Sequence, residues 1–285
     1  MKTLIIGGGY LGTVLLPHFQ KQGEAVLTTS QDLDITNLAS VEKVIGGHAP
    51  DFIINTAAFT NTNEAELPEK QEEVYAVNVQ GPSNIAVVAQ KYTIPWVQFS
   101  TGMMFDGKNG NTGWSEEDIP QPTNYYSWTK FRADEELTPV AEKNLIYILR
   151  IHTPLSSISH PRNFINRLQK FDKAIDIPSS ISIVEDVCTI IDQLLSKKAA
   201  GGIYHAVNPD VISAYRIACI MQEAGLIQAE KNITALTREE LDAMTKQNGG
   251  AHQTFPVLST KKLEKLGIHL DPAETAVRKT IHAFS

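Results

Sequence analysis

Tyr126 and Lys130 stand four residues apart in Tyr126-Ser127-Trp128-Thr129-Lys130, pairing a phenol with an amine at helical spacing. Side chains at i and i+4 of a helix share a face one turn apart, so an ammonium there can stabilise a developing phenolate. Ser100-Thr101 supplies further hydroxyls. Near the start of the chain, Gly7-Gly8-Gly9-Tyr10-Leu11-Gly12 follows a short apolar run and precedes a helical pattern, which fits GxGxxG in its required context. In that context Gly7 makes the turn, Gly9 admits a pyrophosphate and Gly12 lets helix and strand pack. A proton donor, a cation and a dinucleotide cradle are the parts needed to reduce a carbonyl with NADH or NADPH. An ordinary tyrosine ionises near ~10, and a nearby cation together with an oxidised nicotinamide would bring it toward neutrality.

These residues need a scaffold that brings them to one rim. Short β-rich runs, Thr3–Ile6, Ala25–Thr28, Phe52–Ile54 and Trp96–Phe99, alternate with helical spacings at Leu11, Val14, Leu15 and Phe19 and at Val74, Val77, Gly81, Ile85 and Val88. Alternation of this kind predicts a parallel sheet with crossover helices. The glycine loop then follows the first strand and Thr101 the fourth, both on the carboxyl rim where such sheets bind ligands. A further strand, Leu145–Leu149, closes the regular pattern. Beyond residue 152, Pro154, Pro161, Pro178 and Pro209 divide the chain into shorter pieces, with helices expected over 184–195 and 212–224 and a strand over 202–207. The expected fold is α/β, a Rossmann-type doubly wound parallel sheet with a smaller interleaved substrate-binding domain. Residues 1–152 would form the dinucleotide-binding domain, and 153–285 mainly the substrate-binding portion with returns to the main sheet.

A net charge of −7 with scattered acids argues against a nucleic-acid or anionic-membrane partner. The apolar start ends at Gly7 and no later run reaches the ~20 residues of a membrane span, so a cytoplasmic location is expected. Cys188 and Cys219 lack disulfide or metal-ligand spacing and read as buried structural thiols, with no metal site expected. Where an acid would hold the ribose of NAD, the second strand ends in Thr28, Thr29 and Ser30, so NAD and NADP stay unseparated. Asp34-Ile35 just beyond could line an adenine pocket, with an ordinary loop aspartate as the competing reading.

With these motifs placed, the sequence resembles the extended short-chain dehydrogenase/reductases, and within them the dTDP-4-dehydrorhamnose reductase family. Asn55-Thr56-Ala57-Ala58-Phe59-Thr60 with Ala65-Glu66, Ala76-Val77-Asn78, Ser100-Thr101 with Phe105-Asp106-Gly107, and Asn124-Tyr125-Tyr126 to Lys130 are similar to successive family segments in the family's order. The reductase portion of plant nucleotide-rhamnose synthases is also similar, through Ser100-Thr101-Gly102, Pro161-Arg162-Asn163-Phe164-Ile165, Asp176-Ile177-Pro178 and Asn208-Pro209. The resemblance implies reduction of a nucleotide-linked 4-keto-6-deoxy sugar. Tyr126 would protonate the C4 oxygen, Lys130 would bind the cofactor ribose and assist Tyr126, and Thr101 would hydrogen-bond substrate or Tyr126. Thr56, Ala57 and Ala58 would join Gly7, Gly9, Tyr10, Leu11, Gly12, Asp34 and Ile35 around the cofactor.

Three further residues are candidates for the substrate. Arg162 beside Asn163 could hold a pyrophosphate through a bidentate contact, and His152 after the fifth strand could touch the sugar. A surface arginine and a satisfied structural histidine are the competing readings. The expected partner is a nucleotide sugar, with a homodimer as a possible assembly. Two alternatives stand beside the reductase. One is a 3,5-epimerase/4-reductase, although the stretch Asn61–Lys70 lacks the cysteine that bifunctional relatives use. The other is a non-catalytic NADP-binding subunit resembling the regulatory subunit of methionine adenosyltransferase.

Overall fold

The strands of the main sheet are largely apolar and, inward of its edge strand Glu24–Thr28, almost wholly buried, as a parallel sheet covered by helices requires. They are β1 (Lys2–Ile6), β2 (Glu24–Thr28), β3 (Phe52–Asn55), β4 (Trp96–Thr101) and β5 (Ile146–Ile151), with every residue of β3, β4 and β5 buried. Between them lie α1 (Tyr10–Gln22), α2 (Leu38–His48), α3 (Thr62–Ala65), α4 (Gln71–Tyr75), α5 (Gly81–Tyr92) and α6 (Tyr125–Asn144). A computed structural model describes residues 1–107, 113–248 and 251–284 and divides them into two units.

The first unit comprises Met1–Met104, Pro120–Arg150 and Ile191–Tyr204. Its sheet runs β2-β1-β3-β4-β5-β9, where β9 is Gly202–His205, and β1, β2, β3 and β4 pair in parallel. The order reverses between β1 and β3, which is the switch point where doubly wound sheets bind ligands. One face is filled by Leu4, Ile53, Ile85, Val88, Trp96 and Ile148. The second unit comprises Phe105–Ile119, Ile151–Ile190 and His205–Ser285. It pairs β6 (Pro154–Leu155) with β8 (Ser182–Ile183), and β7 (Lys173–Ile175) with β10 (Thr234–Leu236), each in parallel. Its helices include α7 (Phe164–Leu168), α9 (Ala214–Glu223), α10 (Arg238–Asn248), α11 (Lys261–Lys265) and α12 (Ala273–His282), and Ile165, Ile183, Ile217, Met221 and Val277 share its core. The remaining helix, α8 (Val184–Ser196), runs across the boundary between the two segments of chain.

Several boundaries differ from the sequence pattern for identifiable reasons. Strand β4 runs two residues past the expected Phe99, so Thr101 is its last residue instead of lying beyond it. Leu145 closes α6 in a left-handed conformation (φ 49°), donating its N–H to Ala141 and Glu142 carbonyls, so β5 starts one residue later. Ser213 caps α9 by accepting the Arg216 N–H, which excludes Ile212 from that helix. The helical face expected over Val74–Val88 is present, but it carries a π turn over Ala76–Gln80 between α4 and α5, with helical backbone throughout. Cys188 is buried but Cys219 is partly exposed, so the expectation of two buried thiols is corrected for Cys219; its place on α9 leaves one edge open. Among the described residues no helix is long and apolar enough to cross a membrane.

Candidate active site

The cradle is built by close backbone approach at the switch point. Gly7 has φ +108°, and a Cβ there would lie 2.6 Å from Ala57 N and 2.8 Å from Thr56 Oγ1. Thr56 Oγ1 donates to the Ile6 and Gly7 carbonyls at 3.0 Å, tying the loop after β3 to the loop after β1. At Gly12 a Cβ would sit 2.0 Å from the Gly7 carbonyl and 2.9 Å from Leu27 Cδ1, whereas at Gly9 it would meet nothing within 4 Å. Gly9 therefore faces open space at the start of α1, where no side chain caps the helix amides. An anion suits such a helix end, so the loop fits a dinucleotide pyrophosphate. Tyr10 and Gly12 are buried and Leu11 is partly exposed. Gly12→Ala is expected to weaken NAD(P)H binding at least about tenfold and to cost about 1–3 kcal/mol of stability through overpacking. Fluorescence titration and urea denaturation measure both effects.

Further along the same rim, Asp34 Oδ1 accepts from Thr36 N and Oγ1 in a local turn, and Ile35 packs into the core against Gly81. After β2, Asp32 accepts from Thr29 N and Oγ1 at 2.8 Å, which holds the Thr29-Ser30 corner. Ala57 N donates to Asn55 Oδ1, and Ala58 is partly exposed beside it.

Asn124 caps α6 through the Ser127 N–H, placing Tyr126 in the first turn and Lys130 one turn on. Thr101, at the end of β4, hydrogen-bonds the Tyr126 phenol and accepts the Met103 N–H at 3.1 Å. Burial is the larger effect on that phenol and pushes it up to about 12, with the Thr101 hydrogen bond pulling part of the way back. The fall toward neutrality expected from a neighbouring cation is absent in the protein alone. Lys130 is only 2% exposed, and its ammonium donates to the Phe99 carbonyl at 2.7 Å. Burial lowers Lys130 to about 8, while Asp134 acts to raise it. A neutral phenol one helical turn from a buried ammonium suits donation of a proton to a developing alkoxide.

Buried amides that the spacing of single motifs does not reveal connect these parts. Asn55 Nδ2 donates to Gln98 Oε1 at 2.8 Å, and Gln98 Nε2 donates to the same Phe99 carbonyl that Lys130 engages. A chain of hydrogen bonds thus runs from Ala57 in the cradle to Lys130. Asn78, in the π turn, accepts the Phe59 N–H and donates to the Phe59 carbonyl and to Thr129 Oγ1. Thr129 Oγ1 in turn donates to the Tyr126 carbonyl. The π turn is the signal that could have pointed to Asn78, since such bulges collect at functional sites.

His152, Arg162 and Asn163 belong to the second unit. Asn163 is fully buried; it caps α7 through the Ile165 N–H and donates to the Ser156 and Ile158 carbonyls, so its side chain shapes the turn that carries Arg162. Arg162 is exposed. His152 is buried, its backbone N–H donates to Ser182 Oγ, and its Nδ1 is sealed without a hydrogen-bond partner among the described residues. The next residue, Thr153, holds φ 40° although it is β-branched and precedes proline, which marks local strain. Burial lowers the imidazole to about 4, with Asp106 opposing. The native state therefore resists a proton that the unfolded chain takes up from about pH 6.5. Stability is expected to fall by about 3 kcal/mol as pH drops from 6.5 to 4 and to level off below that. Urea midpoints across this range should flatten in His152→Leu.

A glycine cradle at the switch point of a parallel α/β sheet, with a Tyr/Lys pair on the helix beside β4, defines a Rossmann-type protein of the short-chain dehydrogenase/reductase kind. More specifically, the chain belongs to the RmlD substrate binding domain family, whose model matches residues 1–285. It is 28% identical over 266 residues to the dTDP-4-dehydrorhamnose reductase of Aggregatibacter actinomycetemcomitans, covering 86% of this chain and 88% of that protein. It is 30% identical over 222 residues to RHM3 of Arabidopsis thaliana, a trifunctional UDP-glucose 4,6-dehydratase/UDP-4-keto-6-deoxy-D-glucose 3,5-epimerase/UDP-4-keto-L-rhamnose-reductase, covering 75% of this chain. The chain matches 32% of that plant protein's length. The crystal structure of dTDP-4-dehydrorhamnose reductase from Bacillus anthracis str. Ames in complex with NADP superposes with a TM-score of 0.83 at 22% identity, covering 98% of each chain, and shows the shared fold.

Proposed function

We propose that this protein reduces the C4 carbonyl of a nucleotide-linked 4-keto-6-deoxy sugar with NAD(P)H. The observation that carries this reading is the Tyr126 phenol, hydrogen-bonded by Thr101 and followed one turn later by the buried Lys130 ammonium. Reductases of dTDP- and UDP-linked 4-keto sugars among the relatives support it. NAD(P)H, when bound, supplies the hydride for C4. Tyr126 donates its proton to the C4 oxygen, Thr101 fixes the phenol's direction, and Lys130 stabilises the phenolate left behind. The cradle of Gly7, Gly9 and Gly12 holds the pyrophosphate, and the loop of Thr56, Ala57 and Ala58 closes its side. The corner after β2 carries the Asp32 carboxylate on Thr29 as well as the neighbouring Ser30, so it fits either cofactor; the ratio of kcat/KM for NADPH and NADH measures the preference.

Cofactor oxidation with a panel of dTDP-, UDP- and GDP-4-keto-6-deoxy sugars tests the proposal, with turnover expected on at least one. Tight NADP binding without turnover on any would replace it by the partner-subunit role. Solvent deuterium appearing at C3 or C5 of the product would add an epimerase step.

A further inference from the structure

One ion pair in the first unit is sealed from solvent. Arg150 Nε donates to Asp134 Oδ2 at 2.9 Å, and each side chain is 2% exposed. The pair adjoins the residues assigned to reduction. Tyr126, Lys130 and Asp134 follow one another at successive turns of α6, so one stripe of the helix carries a phenol, an ammonium and a carboxylate in order, and β5 contributes the guanidinium. The second carboxylate oxygen, Asp134 Oδ1, is buried without a hydrogen-bond partner among the described residues. A sealed carboxylate of this kind is costly, and burying an ion pair is a weak way to gain stability. The adjacent Lys130 gives it another use.

We propose that Asp134, clamped by Arg150, is a positioning residue that keeps the Lys130 ammonium charged and in line with the Tyr126 phenol. This rests on the assignment of Tyr126 and Lys130 as the reducing pair. The other groups around Lys130 leave Asp134 as its source of negative charge. Strand β4 presents the uncharged Phe99 carbonyl, which accepts from Lys130, and the π turn's Asn78 amide is taken by Thr129. Arg150 on β5 is positive and bound to Asp134. Acids on or packed against α6 are directed elsewhere. Glu73 pairs with Lys70, Glu66 accepts the Tyr125 N–H, Glu136 accepts from Ser83, Glu135 pairs with Arg132, and Glu64, Glu72 and Glu142 are exposed. Lys91 on α5 pairs with Glu42. Burial drives Lys130 toward the neutral amine, and Asp134 is the charge that opposes it.

The pH dependence of kcat/KM with NADPH, in the full-length protein, distinguishes tuning from scaffolding. Asp134→Asn keeps shape but removes the charge, so the alkaline limb set by Lys130 should move to lower pH by roughly one unit. Activity lost on the alkaline side, up to about tenfold, should return on acidification. Arg150→Met leaves Asp134 to act on Lys130 alone, and its limb should move the opposite way. If either single variant fails to fold, Asp134→Leu combined with Arg150→Met removes both charges from the interior and should show a downward shift smaller than that expected of Asp134→Asn, because the Arg150 repulsion is lost as well. Limbs that stay at the wild-type position in every folded variant would overturn the proposal, whatever happens to stability. Absence of turnover in the wild type would instead overturn the reductase assignment; the pH dependence of NADPH binding in the same variants then reads the charge on Lys130 directly, with the same shifts expected.

Discussion

Tyr126→Phe is expected to lower kcat by roughly 10²–10⁴-fold, the usual contribution of a positioned proton donor, while Kd for NAD(P)H and the fold stay essentially unchanged. The ring still fills its site beside Thr101, and Thr101 keeps a partner because its Oγ1 accepts the Met103 N–H. No buried polar group is orphaned by the change, so the loss is one of chemistry rather than packing. The wild-type phenol is held up at about 12 by burial, so it is neutral throughout the physiological range and ready to act as an acid. The same shift gives a linked effect on stability. The unfolded chain ionises this residue from about pH 10 and the native state resists until about 12, so its contribution is intact below 10 and lost as pH rises between them. The alkaline fall in stability should be smaller in Tyr126→Phe, read by urea denaturation at pH 9, 10 and 11. Full activity in this variant would remove Tyr126 from the reaction.

Lys130→Met should behave in the opposite sense for stability. Turnover is expected to fall by at least about 10²-fold, because the phenolate formed on proton transfer loses its cation. The fold, however, is expected to gain about 2 kcal/mol at pH 7. Burial lowers Lys130 from 10.5 to about 8, so the charged form destabilises the native state by about 3 kcal/mol at neutral pH. Loss of its hydrogen bond offsets about 1 kcal/mol of the gain, and the Phe99 carbonyl keeps the Gln98 donor. The sign follows from linkage. Below pH 8 both states carry the proton and the full penalty applies; between 8 and 10.5 the native state releases it first and the penalty lifts. The advantage of Lys130→Met should therefore shrink as pH rises through that window. Equal stability of the two proteins at pH 7 would mean that the amine is better solvated than its burial implies.

Much of the first unit was legible because its signals are local. Strand-length runs, helical spacing and a glycine loop between β1 and α1 each lie within a dozen residues, and together they define the α/β class. The Tyr126 and Lys130 spacing was legible for the same reason, since one helical turn sets it. The π turn was not, because Val74 to Val88 keeps an apolar face compatible with an unbroken helix. Neither were Asn55 with Gln98, Asn78 with Thr129, or Asp134 with Arg150. Each joins single polar residues far apart in the chain, and a lone asparagine or arginine carries no periodic signal.

The protonation states depended on the same long-range contacts. A free tyrosine beside a lysine suggested a phenol drawn toward neutrality, whereas burial moves Tyr126 upward and Lys130 downward, and the ammonium turns to the Phe99 carbonyl. Sequence alone determined which chemical groups are present, their spacing along α6 and the class of sheet that carries them, since these follow from backbone periodicity and local turn geometry. Only the tertiary structure decided which groups are sealed from water and which buried charge faces which, because desolvation and pairing arise when distant segments of the chain pack together.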